Sequence, residues 1–453
     1  MNKYTCLLIL NILIYLNAPS DLNKSFLGMS LLIPLLGSIF FILDNLKIIG
    51  KKGIYVRHSF LFIFVFFIVF YQYYIDYLLG FLDGTEERIW VSHSIVCKSC
   101  ALSNFSLISF FIGYTFQKQK MNHVVEEACL YSIRFPFKKH LCIASYLLFF
   151  AFLLIVDKSF FAGDYAAMDF GGFWIIVILQ SFFIAMLVLY SIEFKTNNHE
   201  NVKKFFKYPI LIILIYSSIV LLCGRRTEVL RVLSLSLGCI AFLKGEKLNF
   251  KKFVISGILL MSLFAIIGVI RGGNGNFSSG VDAINNRASF MPVTLELAGS
   301  VNTLHVATCY IPEEVPYNYG LSFFPSFTLL VPGLDRTFNM IFPELALMKS
   351  PNIITNLYWG GVGPYGLGSS SVADVYISFG AIGLLVVFFL LGRLMRYLEV
   401  KTFVQHSVNP YILALSFCVF SQIIYSMRTG ISVLFMSWTY SCMIIYAITK
   451  LKK

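Results

Sequence analysis

Long apolar runs recur from one end of this chain to the other, broken by short basic links, and this alternation limits the fold more than any motif does. A helix needs about 20 mostly apolar residues to cross a bilayer, somewhat fewer where flanking side chains snorkel. About twelve runs meet that requirement: 4–19, 26–43, 59–81, 99–116, 140–157, 172–193, 209–223, 229–243, 253–270, 372–392, 410–426 and 431–449. With 58% hydrophobic and 13% charged residues in a chain of 453, a water-soluble globule could not hide its apolar surface. The expected fold is all-α: a polytopic integral membrane helix bundle of about 12 transmembrane helices.

The links at 44–58, 117–139, 194–208, 244–252 and 393–409 hold most of the basic residues, among them Lys51, Lys52, Lys138, Lys139, Lys203, Lys204, Lys251, Lys252, Arg393 and Arg396. With an even number of spans all these links fall on one side, which the positive-inside bias makes cytoplasmic. Both termini are then cytoplasmic, and the tail Lys450, Lys452, Lys453 agrees. The net charge of +13 is thus a topology signal. The basic clusters are too short to track a phosphate backbone, which excludes a nucleic-acid partner.

The opposite side holds Glu86, Glu87, Asp157, Asp164, Asp169 and one connection of roughly a hundred residues. The chain divides accordingly into helices 1–9 over 1–270, a large extracytoplasmic loop over 271–371, and helices 10–12 over 372–453. Tyr317, Tyr319, Phe323, Phe324, Phe327 and Trp359 give the loop an ordered composition. Its apolar stretches at 321–331 and 338–348 are too short to span and are expected as interfacial or re-entrant helices.

Several features carry no chemistry. The first run, Cys6–Leu16 with Ala18 after it, resembles a signal-peptide core, but the second run follows at once and a retained helical hairpin is expected. The ten cysteines form no metal-ligand pattern, and Cys97 and Cys100 have redox spacing without the βαβ context that a thioredoxin-like site needs. Gly361-Val-Gly363-Pro-Tyr-Gly366 matches the dinucleotide fingerprint, yet no strand precedes it and it lies outside the cytoplasm. No internal repeat suggests a transporter.

The arginines that break the charge rule are more informative. Arg88, Arg225, Arg226, Arg231, Arg271, Arg287, Arg336 and Arg428 all fall on the outer side. Arg226 and Arg428 lie in tight turns, Gly224-Arg225-Arg226-Thr227 and Arg428-Thr429-Gly430, that press them against the bilayer surface. A guanidinium is always charged and grips phosphate oxygens as a planar fork, so such a set suits a lipid-linked diphosphate. Each arginine taken alone is as well explained by snorkelling to headgroups. Convergence of Arg226, Arg271, Arg287 and Arg428 in one cavity separates the two readings.

Glu296, His305 and Asp374 are the acid/base candidates. At about 100° per residue, Glu296 and His305 lie on opposite faces of one helix and form no local dyad. A lone histidine in an apolar stretch is more often structural. Ser371 and Asp374 have the spacing of a capping box at the start of the tenth run, where a helix N-terminus could also hold an anion beside Asp374.

From about residue 210 onward the chain resembles the O-antigen polymerase (Wzy-type) family. The resemblance rests on the Gly-x-Arg turn at Gly224–Arg226, on Arg287-x-x-Phe290-x-Pro292, and on Tyr319-Gly-Leu-Ser-Phe-Phe-Pro325. The Gly/Ser-rich approach to Asp374, and Arg428 with Gly430, complete it. Asp374 departs from the family's frequent Glu, and the first 200 residues carry no matching motif. The resemblance implies a multi-pass glycosyltransferase of the bacterial inner membrane, working on undecaprenyl-diphosphate-linked glycans at the periplasmic face. It implies no cofactor and no metal, and it leaves room for a chain-length regulator as a protein partner. Arg226, Arg271, Arg287 and Arg428 are the expected diphosphate ligands, and Asp374, Glu296 and His305 the candidate proton acceptors. An O-antigen ligase, which shares the layout and usually uses a loop histidine, remains open through His305. A lipid-linked oligosaccharide flippase is disfavoured by the long loop.

Overall fold

Each of the twelve runs is a helix in the computed structural model of the chain: α1 (Lys3–Leu16), α2 (Lys24–Ile49), α3 (His58–Leu78), α4 (His93–Thr115), α5 (Lys138–Ile155), α6 (Phe170–Thr196), α7 (Lys207–Leu222), α8 (Arg226–Lys244), α9 (Phe250–Gly272), α10 (Ser371–Glu399), α11 (Pro410–Thr429) and α12 (Val433–Lys450). The structure describes all residues except 1–2, 50–53, 117–133, 157–159, 161–169, 198–200, 245–248, 273–283, 285–286, 332, 362–364, 430–432 and 451–453. No strand occurs among those described. Helices α2, α3, α4, α5, α6, α9, α10 and α11 are long and apolar enough to cross a membrane, and α1 and α7 are shorter apolar helices. Cys97 and Cys100 are free thiols buried in α4, which begins earlier than its apolar run because His93 and Ser94 follow an N-cap at Ser92.

Burial sorts the helices into a centre and a rim. α4 is covered nearly all round, by α1, α2 and above all α10. The α4–α10 contact is close because glycines sit at the crossing. A Cβ at Gly113 would run into the Phe389 carbonyl, and one at Gly392 into the Phe110 carbonyl, the small-residue device by which helices approach in lipid. α9 is the opposite case: Ile255, Ile258 and Leu259 are more than half exposed, as a lipid-facing wall requires.

α10 is not one continuous span. As 29 residues it would be about 44 Å long, well beyond a hydrocarbon core of about 30 Å. Its helix breaks at Gly380, whose φ of 61° and ψ of −155° are open to glycine and strained for other residues. The break frees the carbonyls of Ile377 and Ser378, which accept instead from the amides of Asn318 (3.1 Å) and Tyr319 (3.0 Å). Residues 371–379 are thus a half-helix enclosed by protein, joined through the break at Gly380 to the rest of α10. Irregular backbone at this depth survives only where other protein groups satisfy it.

Between α9 and α10 the segment folds into short helices, including Leu295–Ala298, Val301–Tyr310, Phe324–Thr328, Leu334–Ile341, Pro343–Leu347 and Ser350–Trp359. Val301–Tyr310 is almost wholly buried against α10 and α4. The expected short apolar pieces are present, and they leave Phe327, Met340 and Ile341 more than half exposed beside Arg336.

Candidate active site

Gly224 takes a left-handed conformation (φ 75°) that ends α7 and reverses the chain, so Arg226 becomes the first residue of α8. Its guanidinium then meets the segment after α9. Nη1 donates to Oε2 of Glu296 at 2.6 Å and Nη2 to Oε1 at 2.9 Å, a two-pronged pair, while Nη1 also reaches the Phe264 carbonyl of α9 at 2.9 Å. Arg428, in the last turn of α11, brings Nη1 to 3.9 Å from Glu296 Oε1. Arg287 lies a few residues before Leu295–Ala298, the short helix of Glu296; its Nη1 faces the Pro292 carbonyl at 3.4 Å and its charge acts on the same carboxylate.

Burial pushes the Glu296 carboxyl upward, but hydrogen bonds and charge from Arg226, then the charges of Arg428 and Arg287, hold it below the ordinary glutamate value of 4.5. The Glu296 side chain is 38% exposed, so solvent screens the Arg226 pair and its share of stability is at most about 1 kcal/mol. Three guanidinium groups around one carboxylate leave surplus positive charge open to solvent. Such a cluster is poorly explained as a stabilising device and well explained as an anion receiver. Of the four arginines expected to converge, Arg226, Arg287 and Arg428 do. Arg271 lies in the last turn of α9, and its side chain is outside the described residues.

Asp374 sits in the first turn of the enclosed half-helix and is 3% exposed. The N-cap is Ser370 rather than Ser371: its Oγ accepts from the Ala373 amide at 3.3 Å. Asp374 therefore does not complete the expected capping box. Its Oδ1 accepts from Ser350 Oγ and, at 3.4 Å, from Ser322 Oγ. The carboxylate thus ties two short helical pieces of the loop to α10. The start of α10 also touches the end of α11, where the Ser369 amide donates to the Arg428 carbonyl at 3.3 Å, so Arg428 and the Asp374 half-helix are neighbours.

His305 is fully buried. Its Nδ1 lies 2.7 Å from the Ile89 carbonyl, which can only accept, so Nδ1 carries the proton and Nε2 accepts from Tyr74 Oη at 2.8 Å. Trp90 stacks on the ring. Burial lowers its pKa to about 4 against the pull of that carbonyl, and the imidazole is neutral near pH 7. Both nitrogens are engaged within the protein, the bond pattern of a structural histidine. Among the described residues no three His, Cys, Asp or Glu side chains gather as a metal site would require.

A family model for the O-antigen polysaccharide polymerase Wzy matches residues 2–453. The chain belongs to this family. Neither a curated protein nor a solved structure matches it. The family match covers the whole polymerase chain, including the first 200 residues in which no motif is legible. Residues of that first part reach the site: Gln72 and Asp76 of α3 bond to the Arg287–Thr294 segment. In the sequence Asp76 stands out as a charge deep in an apolar run, near the outer end of its span, whereas Gln72 gives no such signal. Of the other arginines expected on the outer side, Arg225 rests on Phe160, Arg231 on Tyr425 and Arg88 on Tyr365.

Proposed function

We propose that this multi-pass membrane protein joins oligosaccharide repeat units, carried on undecaprenyl diphosphate, into O-antigen or a related surface polysaccharide at the periplasmic face of the inner membrane. The observation that carries the reading is the convergence of Arg226, Arg287 and Arg428 on one solvent-open carboxylate. In this reaction a hydroxyl oxygen of the acceptor attacks the anomeric carbon of the donor glycan. The carbon–oxygen bond to the diphosphate breaks, and its electron pair leaves with undecaprenyl diphosphate. That leaving group is already anionic, so fixed positive charge has more to contribute than a general acid.

In the resting arrangement Glu296 occupies the Arg226 fork as two phosphate oxygens would. An arriving diphosphate takes the fork, and the displaced carboxylate is then free to accept the acceptor's hydroxyl proton. Glu296 suits this role better than Asp374, whose oxygen is engaged by Ser350 and Ser322 away from solvent. Arg271 belongs to the same diphosphate set by its position at the end of α9. A chain-length regulator is the one protein partner this reading admits.

Deletion in the host tests the activity: a single repeat unit left on the lipid A core is expected. Unattached polymer on the carrier lipid would point to a ligase, and absence of both to a flippase. The orientation, with both termini and the links at 44–58, 117–139 and 194–208 cytoplasmic, is tested with a cysteine at position 198. Its modification by an impermeant reagent in intact cells would overturn the topology.

A further inference from the structure

Arg287 and Glu296 lie on a stretch of chain with little helix of its own, and something else must set their positions. The contacts that do so come from α3. Asp76 is fully buried near the end of that helix; its Oδ2 accepts from Ser289 Oγ at 2.7 Å and its Oδ1 from the Phe290 amide at 2.9 Å. One turn earlier, Gln72 donates from Nε2 to Ser289 Oγ (3.1 Å) and to the Met291 carbonyl (2.9 Å), and its Oε1 accepts from Thr294 Oγ1 at 2.7 Å. Gln72 and Asp76 are four residues apart, so a single helix face presents both. Between them they engage Ser289, Phe290, Met291 and Thr294, the residues that link Arg287 to Glu296.

A carboxylate in an apolar helix is costly to bury, and Asp76 has no ion pair among the described residues; neutral donors of the segment meet it instead. A helix that needed only to pack would carry an apolar side chain at that position.

We propose that Gln72 and Asp76 are positioning residues of the polymerase site: they hold the 287–296 segment in the register that brings Arg287 and Glu296 to Arg226 and Arg428. This rests on the diphosphate reading for what the site binds, but the holding itself does not. Without the clamp the segment samples detached positions, and only the fraction of molecules with the segment seated can take the donor. If that fraction falls to about a tenth, apparent affinity for the donor weakens about tenfold while the seated enzyme turns over as before.

Two measurements test it on the full-length protein in membrane vesicles. The first is polymerisation rate against concentration of the lipid-linked repeat unit purified from a host lacking the polymerase. Asp76→Leu and Gln72→Leu are expected to raise the half-saturating concentration about tenfold and leave the saturated rate within about twofold. Asp76→Asn, which keeps an acceptor oxygen, should recover most of the loss. The second is the labelling rate of Ala298→Cys by an impermeant maleimide, read by mass at the peptide bearing residue 298. Ala298 is fully buried, so this cysteine should label slowly in the parent and about tenfold faster in the Leu variants as the segment lifts.

Unchanged labelling, or a fall in saturated rate with the half-saturating concentration unmoved, overturns the proposal. Faster labelling combined with normal polymer from an Arg226→Lys variant would uphold the clamp and overturn the diphosphate reading. Should Asp76→Leu fail to accumulate, Asp76→Asn and Gln72→Leu carry the same readouts.

Discussion

The two ends of α10 treat charge in opposite ways. At its C-terminal end Glu399 is fully buried; Oε1 accepts from the Ser59 amide of α3 at 2.7 Å and Oε2 from Tyr114 Oη of α4, with Arg396 Nη1 3.4 Å from the same tyrosine oxygen. Three helices are tied by one carboxylate, and both its oxygens are occupied. Beside its N-terminal end, where Arg428 meets Ser369, Glu296 is 38% exposed; it sits in the fork of Arg226 with Arg428 3.9 Å away and the charge of Arg287 also acting on it, so positive charge is left over. A charge met by neutral donors and closed to solvent fixes helix positions. A surplus of forked cations facing solvent does little for stability and is suited to receive an anion.

The sharpest way to break that contrast is at the open end. Arg226→Lys and Arg428→Lys keep the charge and lose the planar fork, and loss of one preorganised donor typically costs about 10²–10³ in rate. The glycan ladder should shrink to its first rungs while protein level holds. Normal ladders from both variants would end the leaving-group argument. At the closed end Glu399→Leu strands the Ser59 amide and the Tyr114 hydroxyl, at about 1–3 kcal/mol each. Protein level in membranes should fall, with ladder length per molecule unchanged; a shortened ladder at full protein level would blur the division between the two ends.

His305→Phe extends the test to a buried group close to the open end. It leaves Tyr74 Oη and the Ile89 carbonyl without their partner, at about 1–3 kcal/mol. Thermal stability is expected to drop while the ladder persists, and a ladder lost at normal stability would return His305 to the chemistry. The smallest effect expected is that of pH. The carboxyl of Glu296 lies below 4.5 in the folded protein. Whatever its charge contributes is therefore present at neutral pH, and is lost only as pH falls through that depressed value. Measured at limiting donor, where the rate reports the free enzyme with Glu296 still in the fork, the initial rate from pH 8 to 6 should change by less than about twofold through this group. A rate that titrates near pH 6 would assign the critical proton elsewhere.

Much of the fold was legible because membrane helices announce themselves locally. Each run from 4–19 to 431–449 contains its own hydrogen-bond partners and needs only apolar side chains to be recognised. The break at Gly380 was not legible, since a glycine in an apolar run is ordinary; only the amides of Asn318 and Tyr319, some sixty residues away, make it a discontinuity. At the candidate site the arginines stood out because they break the charge bias expected from the order of apolar runs and basic links. The part played by Glu296 as their common partner did not, because its distance to Arg226 depends on how α8, α11 and the loop pack.

The sequence by itself determined that this chain is a helical membrane protein, and it marked Arg226, Arg287 and Arg428 as charges that break the pattern expected of its basic links. Those properties follow from transfer free energies and charge bias that act residue by residue. Tertiary structure alone decided which charges meet. It seated His305 between Tyr74 and Ile89, enclosed Asp374 with Ser350 and Ser322, and set Glu296 in the fork of Arg226. It also recruited Gln72 and Asp76 from α3 to hold the segment that carries half the site. Hydrogen bonds and ion pairs depend on separations of a few ångströms between residues that can be 340 positions apart, and no local pattern encodes such a distance.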